Sequence, residues 1–122
     1  MNCGICIGHL REKNRCPGCR LMDETISRYC RKCIIRNCPI LKKKGMNFCS
    51  SKCDKYPCKR LKSLDKRYRE RYGMSMIKNL ENIKKSGIRE FVKNEKLRWN
   101  CNDCKKVICV HRNFCIFCSA KR

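Results

Sequence analysis

The middle of the chain carries the clearest alternation of apolar and polar positions. In "CKRLKSLDKRYRERYG", Leu61, Leu64, Tyr68 and Tyr72 recur at three- and four-residue steps, which predicts an amphipathic helix. Gly73 follows as its C-terminal cap. Ser75 is placed to cap a second helix, "MIKNLENIKKSG", with Ile77, Leu80 and Ile83 on one face and Gly87 as its stop. A third short helix, "IREFVKNEKLRW", is expected to turn Ile88, Phe91, Val92 and Leu97 inward. These stripes predict core packing, so the segment reads as a helical clasp.

On either side the pattern gives way to cysteine. Residues 1–60 hold ten cysteines, residues 61–98 none, and residues 99–122 the last five. Three parts are expected: an N-terminal Cys-rich metal module (1–60), a helical segment (61–98) and a C-terminal zinc-ribbon module (99–122). The expected fold class is a small metal-stapled α+β protein. Within the last part "VICVH" alternates apolar residues and reads as a strand with one buried side.

Composition explains why staples are needed. Hydrophobic residues make up 42% of the 122, but 15 of them are cysteines, and tryptophan occurs once. Such a core is too thin to hold a small domain without disulfides or metals. "MNCGICIGHLREK" has no apolar stretch of signal-peptide length, and no run approaches transmembrane length. A cytoplasmic protein with reduced thiols and no membrane partner is therefore expected. The cysteine count is odd, and most cysteines form close pairs. A Cys-x-x-Cys pair suits two thiolates on one tetrahedral metal better than two separate disulfides.

The C-terminal constellation is the most specific. Cys101-x-x-Cys104 and Cys115-x-x-Cys118, ten residues apart, have two-knuckle zinc-ribbon spacing. Cys109 and His111 lie between the knuckles. Either could replace a sulfur, but the simpler reading makes Cys109 a small buried hydrophobe and His111 a phosphate or backbone contact. At the N-terminus two partitions fit equally. Cys3, Cys6, Cys16 and Cys19 would make one site, leaving Cys30, Cys33, Cys38, Cys49, Cys53 and Cys58. Alternatively Cys16, Cys19, Cys30 and Cys33 pair as at the C-terminus, and Cys38, Cys49, Cys53 and Cys58 form a second site, with Cys3, Cys6 and His9 left over. Two N-terminal sites and about three Zn2+ ions in all are expected. The recurrent iron–sulfur spacings are absent, which leaves an Fe-S cluster as the alternative cofactor.

Charge supplies the functional expectation. The chain holds 32 Lys and Arg against 10 Asp and Glu, net +22. A four-thiolate site with one divalent ion carries about −2, so three sites would leave about +16. From Arg31 to Arg71 there are 15 basic residues and three acids, Asp54, Asp65 and Glu70. A field this one-sided points to a polyanion, above all nucleic acid. The expected contacts are Lys42, Lys43 and Lys44, read as a basic loop tip in "LKKKG"; Lys59, Arg60, Lys62, Lys66, Arg67, Arg69 and Arg71 on the first helix; and Lys105, Lys106 and Arg112 in the C-terminal loop. Contacts of this kind give affinity without sequence information. Trp99, Tyr56, Phe114 and Phe117 could stack on bases but are expected in the core.

The strings "CGIC", "CPGC", "CRKCIIRNCPILKKKGMNFCSSKCDKYPCKRL", "RYGMSMIKNLENIKKSGIREFVKNEKLRWNCNDC" and "CVHRNFCIFC" occur in an order that resembles a cysteine-rich family of unknown function from archaea and anaerobic bacteria. The resemblance spans nearly the whole chain. It departs at Cys49 and Cys53, where the family has Cys-x2-Cys, and at the opening, which lacks one of the clustered cysteines. The resemblance implies metal binding and an archaeal or anaerobic origin, and it implies no activity.

The leading expectation is a structural RNA-binding protein, attached to rRNA as a ribosomal or ribosome-associated component. Alternatives are a transcription-associated DNA-binding zinc protein, for which no C2H2 spacing or recognition helix is evident, and an iron–sulfur redox or metal-handling protein. No enzyme and no small-molecule substrate are expected: two histidines and ten acids present no triad or carboxylate pair, and no glycine-rich phosphate loop occurs.

Overall fold

The structure is a computed structural model that describes residues 2–21 and 24–122. It is mostly helical. A 3-10 turn, Cys3–Ile5, leads into α1 (Ile7–Leu10), followed by α2 (Arg28–Arg31), α3 (Pro39–Lys43), α4 (Lys59–Tyr72) and α5 (Met76–Arg98). Among the described residues extended pairing is confined to two isolated antiparallel bridges, Asn100 with Val107 and Phe114 with Lys121. The expected α+β character is thereby corrected. "VICVH" forms no strand, because only Val107 pairs and the chain turns at Val110 and His111.

The long helices follow the sequence signals. Gly73 closes α4 in the left-handed region (φ 63°) and bonds back to the Arg69 carbonyl. The Ser75 hydroxyl accepts the Lys78 N–H at the start of α5. Gly87 breaks α5 at φ 82°, ψ 161°, so the second and third expected helices are rods over 76–86 and 88–98. The third rod faces differently from expectation. Phe91, Glu95 and Trp99 lie at four-residue steps on the buried side, whereas Ile88, Val92 and Leu97 are exposed, Leu97 by 70%. A buried acid occupies the middle of that line because it has partners: Glu95 accepts from the Trp99 indole N–H (3.0 Å) and the Asn2 amide (3.4 Å). Apolar counting passes over a position of that kind. The "LKKKG" stretch is likewise not a loop tip. Pro39 at the first turn starts a helix, Leu41 is buried, and Gly45 at φ 60° ends it.

The core joins all three cysteine-defined segments. Ile5, Leu61, Met74, Met76, Trp99 and Val110 form one buried cluster. Each contributes roughly 1.5–3 kcal/mol by burial. The chain nonetheless exposes 9145 Å2, against the roughly 6,900 Å2 typical of a compact protein of this mass. Packing alone is therefore weak, and polar clamps matter. The Asp65 carboxylate, 4% exposed, takes the Ile77 N–H (2.9 Å), the Ser75 hydroxyl (2.7 Å) and Arg69 (2.8 Å), fixing α4 to the start of α5. At the other end Arg122 lies 4.8 Å from the Trp99 ring centre and donates to the carbonyls of Tyr72 and Val110.

Burial disfavours ionisation of Asp65, but the Ile77 N–H, the Ser75 hydroxyl and Arg69 outweigh it and hold its pKa below the ordinary carboxylate value. A lowered folded pKa gives stability that is full above the unfolded value and lost as pH falls through the folded one. Asp65→Asn should therefore destabilise by about 1–3 kcal/mol at neutral pH. It should also flatten the loss of stability below about pH 4; urea unfolding of both proteins across pH checks this.

Candidate metal centre and basic surface

The C-terminal frame is built from two equivalent turns. In the first, Cys101 N–H donates to Lys106 O (2.9 Å) and Lys105 N–H to Cys101 O (3.0 Å). In the second, Cys115 N–H donates to Ala120 O (2.8 Å) and Ser119 N–H to Cys115 O (2.9 Å). Each turn leaves through a non-glycine residue at positive φ, Lys105 at 58° and Ser119 at 64°. Both residues accept a strained backbone so that two sulfurs of each turn face the same point.

The result is a four-sulfur group. The Sγ atoms of Cys101, Cys104, Cys115 and Cys118 all lie within 4.8 Å of one another. Cys101 and Cys118 are 3.6 Å apart, as are Cys104 and Cys115. Four thiolates at about 2.3 Å from a tetrahedral ion stand about 3.8 Å apart, so these residues could hold a metal ion. The Phe117 N–H, opposed by lost hydration, leads the effects that hold the Cys115 thiol down to about 7. The Ala120 N–H favours the Cys118 thiolate as well, but lost hydration and the sulfurs of Cys104, Cys101 and Cys115 push it up to about 12. Sulfurs this close do not all ionise unless a cation compensates them.

A second set gathers less tightly. Cys38, Cys49, Cys53 and Cys58 line one cavity of about 450 Å3 beside Leu41, Met46 and Leu61. Cys38 and Cys58 stand at the N-termini of α3 and α4. Burial raises the Cys49 thiol, and the charges of Cys58, Cys38 and Cys53 raise it further. A shared cavity for these four is compatible with either of the two expected groupings. Among the described residues only the C-terminal set closes to within 4.8 Å.

Of the remaining thiols, Cys6, Cys19 and Cys30 act on Tyr68. The Cys19 N–H points at Cys3 Sγ (3.5 Å). The Cys19 thiol, acting against burial, holds Cys3 down to about 5, while contact with Cys3 and burial push Cys19 up. Cys30 adds its charge to Cys19. Cys6 is raised by burial and by Cys3 and Cys109. Burial, followed by the charges of Cys6, Tyr72, Cys19 and Cys30, lifts the Tyr68 phenol. Cys16 is buried, and a Cβ added at Gly8 would stand 3.5 Å from its Cβ. Cys33 is half-buried at the end of α2.

Cys109 is fully buried, as expected, but it is not a bystander. Burial raises its thiol while the nearby backbone N–H groups of His111 and Arg112 act the other way, just as burial raises Cys6 against the amides of Gly8 and His9. The Val110 N–H bonds to Ile5 O (2.8 Å), which sets the two cysteines on neighbouring strips of chain. Nothing in the local sequence pairs Cys109 with Cys6, because 102 residues separate them. Both histidine rings are engaged. His9 Nδ1 donates to Cys16 O (2.9 Å), and its Nε2 accepts from Arg15 (3.3 Å). His111 Nδ1 accepts the Ile7 N–H (3.4 Å), so the neutral ring presents its Nε2 proton to the Tyr68 oxygen 3.1 Å away. His111 thus makes the backbone contact expected of it. Tyr68 is a residue the sequence presented only as core.

All thirteen basic residues singled out above are exposed: Lys42, Lys43, Lys44, Lys59, Arg60, Lys62, Lys66, Arg67, Arg69, Arg71, Lys105, Lys106 and Arg112. Three are partly committed. Arg69 holds Asp65, Lys66 stands 3.9 Å from Glu70, and Lys44 donates to the Lys52 carbonyl. Among the four aromatic residues, Trp99 is core and Tyr56 packs beside it, but Phe114 and Phe117 are 39% and 41% exposed. Phe114 directly precedes Cys115 and Phe117 directly precedes Cys118 in the second cysteine turn. Lys106 Nζ lies 4.7 Å from the Phe117 ring centre.

No protein-family model matches the chain, and no curated protein or solved structure is similar to it. The molecule is defined by its own geometry: a small, mostly helical, cysteine-rich protein with a four-cysteine group that could hold a metal. No helix of the described residues is long and apolar enough to cross a membrane.

Replacing Cys104 by Ser should lower the metal bound per chain by about one ion. Cys109→Ser should leave the C-terminal ion in place, since its sulfur lies outside that frame. Elemental analysis of the purified proteins, with thiol counting, checks both.

Proposed function

We propose that the chain is a zinc-stapled basic protein that binds RNA along its phosphate backbone, as a ribosomal or ribosome-associated component. One observation carries this reading. The whole chain carries a charge of +22, exposed lysines and arginines crowd α3, α4 and the C-terminal turns, and there are only three ion pairs among the described residues. Charge left uncompensated across so small a body disfavours the compact state unless a polyanion neutralises it. Metal staples in place of a large core leave most of the surface available for such contacts.

Zinc in a C-terminal ribbon, with further zinc at Cys38, Cys49, Cys53 and Cys58 and among the N-terminal thiols, accounts for the cysteines without catalysis. Closed four-thiolate sites hold structure and offer no open coordination position. The seven thiols outside the two four-cysteine sets favour a second reading, iron–sulfur or metal-handling chemistry. Anaerobic purification from the host separates the two. Zinc and co-purifying ribosomal subunits support RNA binding, whereas an iron-containing monomer supports the second reading.

Binding by phosphate contact should weaken steeply with salt. Reversing Lys42, Lys43 and Lys44 to Glu should shallow the slope of log affinity against log salt by about 2–3, read by fluorescence anisotropy on a labelled RNA. Affinity independent of salt would count against the proposal. A chelator should abolish the helical circular-dichroism signal, and a chain that keeps it after losing its metal would not be metal-stapled.

A further inference from the structure

Where the end of α4 meets the C-terminal turns, an open cavity of about 480 Å3 is lined by Arg71, Arg112 and Arg122 together with Tyr72, His111 and Phe114. Its size falls within the range of small-ligand sites. No acidic residue lines it. Three arginines converge on it from three places, the last turn of α4, the loop between the two cysteine turns, and the C-terminus. Arg122 is fixed by the Tyr72 and Val110 carbonyls and by its stacking on Trp99. Its positive charge is therefore held in position before anything binds, which lowers the entropic cost of binding. Tyr72 and His111 form a rigid wall, their rings edge to face with centroids 4.9 Å apart. Phe114 presents an exposed ring at the rim.

We infer that this cavity is a binding site for one nucleotide of single-stranded RNA, with the phosphate held among the three arginines and the base stacked on Phe114. The inference rests on the RNA-binding reading above and makes it more specific. Guanidinium groups match phosphate oxygens by paired hydrogen bonds, unlike the point charges of lysine. An aromatic face beside them takes any base, and such stacking is a mark of single-strand recognition. In a duplex the bases are already stacked and paired, so Phe114 has no base face to engage. The lysines of α3 and α4 lack an aromatic partner in this position and make no such distinction.

The test uses the metal-loaded full chain with two fluorescently labelled RNAs, a short oligouridylate and a blunt duplex, followed by anisotropy at one salt concentration. Phe114→Ala should weaken oligouridylate binding by about tenfold and leave duplex binding nearly unchanged, and Phe114→Trp should restore the loss. Arg71→Gln, remote from the cysteine frame, should weaken oligouridylate binding more than Lys66→Gln does. It keeps the test decisive if the Phe114 variant loses its metal. Wild-type protein that binds both RNAs, with Phe114→Ala and Arg71→Gln no weaker than Lys66→Gln, would overturn the pocket and leave general RNA binding intact. Wild-type protein that binds neither RNA would overturn both. Displacement of the oligouridylate by polyglutamate, but not by free uridine monophosphate, would assign the cavity to an acidic peptide instead.

Discussion

One buried cluster of six side chains has to join the first turn, the long helices and the C-terminal turns of a protein that exposes about a third more surface than a compact one of its mass. That shortage is the constraint behind most of the structure. Ile5 comes from the first turn, Leu61 from α4, Met74 and Met76 from the junction of the long helices, Trp99 from the end of α5, and Val110 from between the C-terminal cysteine turns. None of these segments could bury its own apolar face alone. Each depends on the others being held in place by something stronger than packing.

Two kinds of interaction do the holding. The first is the buried charge with a full set of partners. Asp65 fixes the α4–α5 junction, and Glu95 ties Trp99 to Asn2. Arg122 closes the far end over the Trp99 ring. The second is clustered sulfur, most closely assembled at Cys101, Cys104, Cys115 and Cys118. Crowded thiols repel once ionised, so such a group stabilises the fold only together with a cation. Structure and electrostatics are thus coupled. A metal-loaded four-thiolate group would lower the positive charge of the chain by about two, while the lysines and arginines of α3 and α4 lie at the surface.

The proposed nucleotide pocket arises from the same economy of core. Tyr72 and His111 serve twice, packing against Tyr68 on one side and walling the cavity on the other. Arg122 likewise closes the fold over Trp99 and lends its charge to the cavity. In a protein with so few buried side chains, the residues that terminate the core are also those that meet a ligand.

Much of this was legible along the chain, because the deciding signals are local. The three- and four-residue spacing of Leu61, Leu64, Tyr68 and Tyr72, the Gly73 cap, the Ser75 cap and the Gly87 break each act within one or two turns of backbone. The C-terminal four-sulfur group was legible for the same reason, since a Cys-x-x-Cys turn is a local structure and ten residues suffice to bring two together. What the tertiary structure decided were matters of facing and of distant partners. Glu95 is buried, while Leu97 and Phe114 are exposed, because the fold places an indole beside one and solvent beside the others. Cys38, Cys49, Cys53 and Cys58 share a cavity, and Cys109 comes to Cys6, because the shared core brings those stretches together. Spacing along a chain carries no information about contacts between groups a hundred residues apart, which depend on how the whole chain packs.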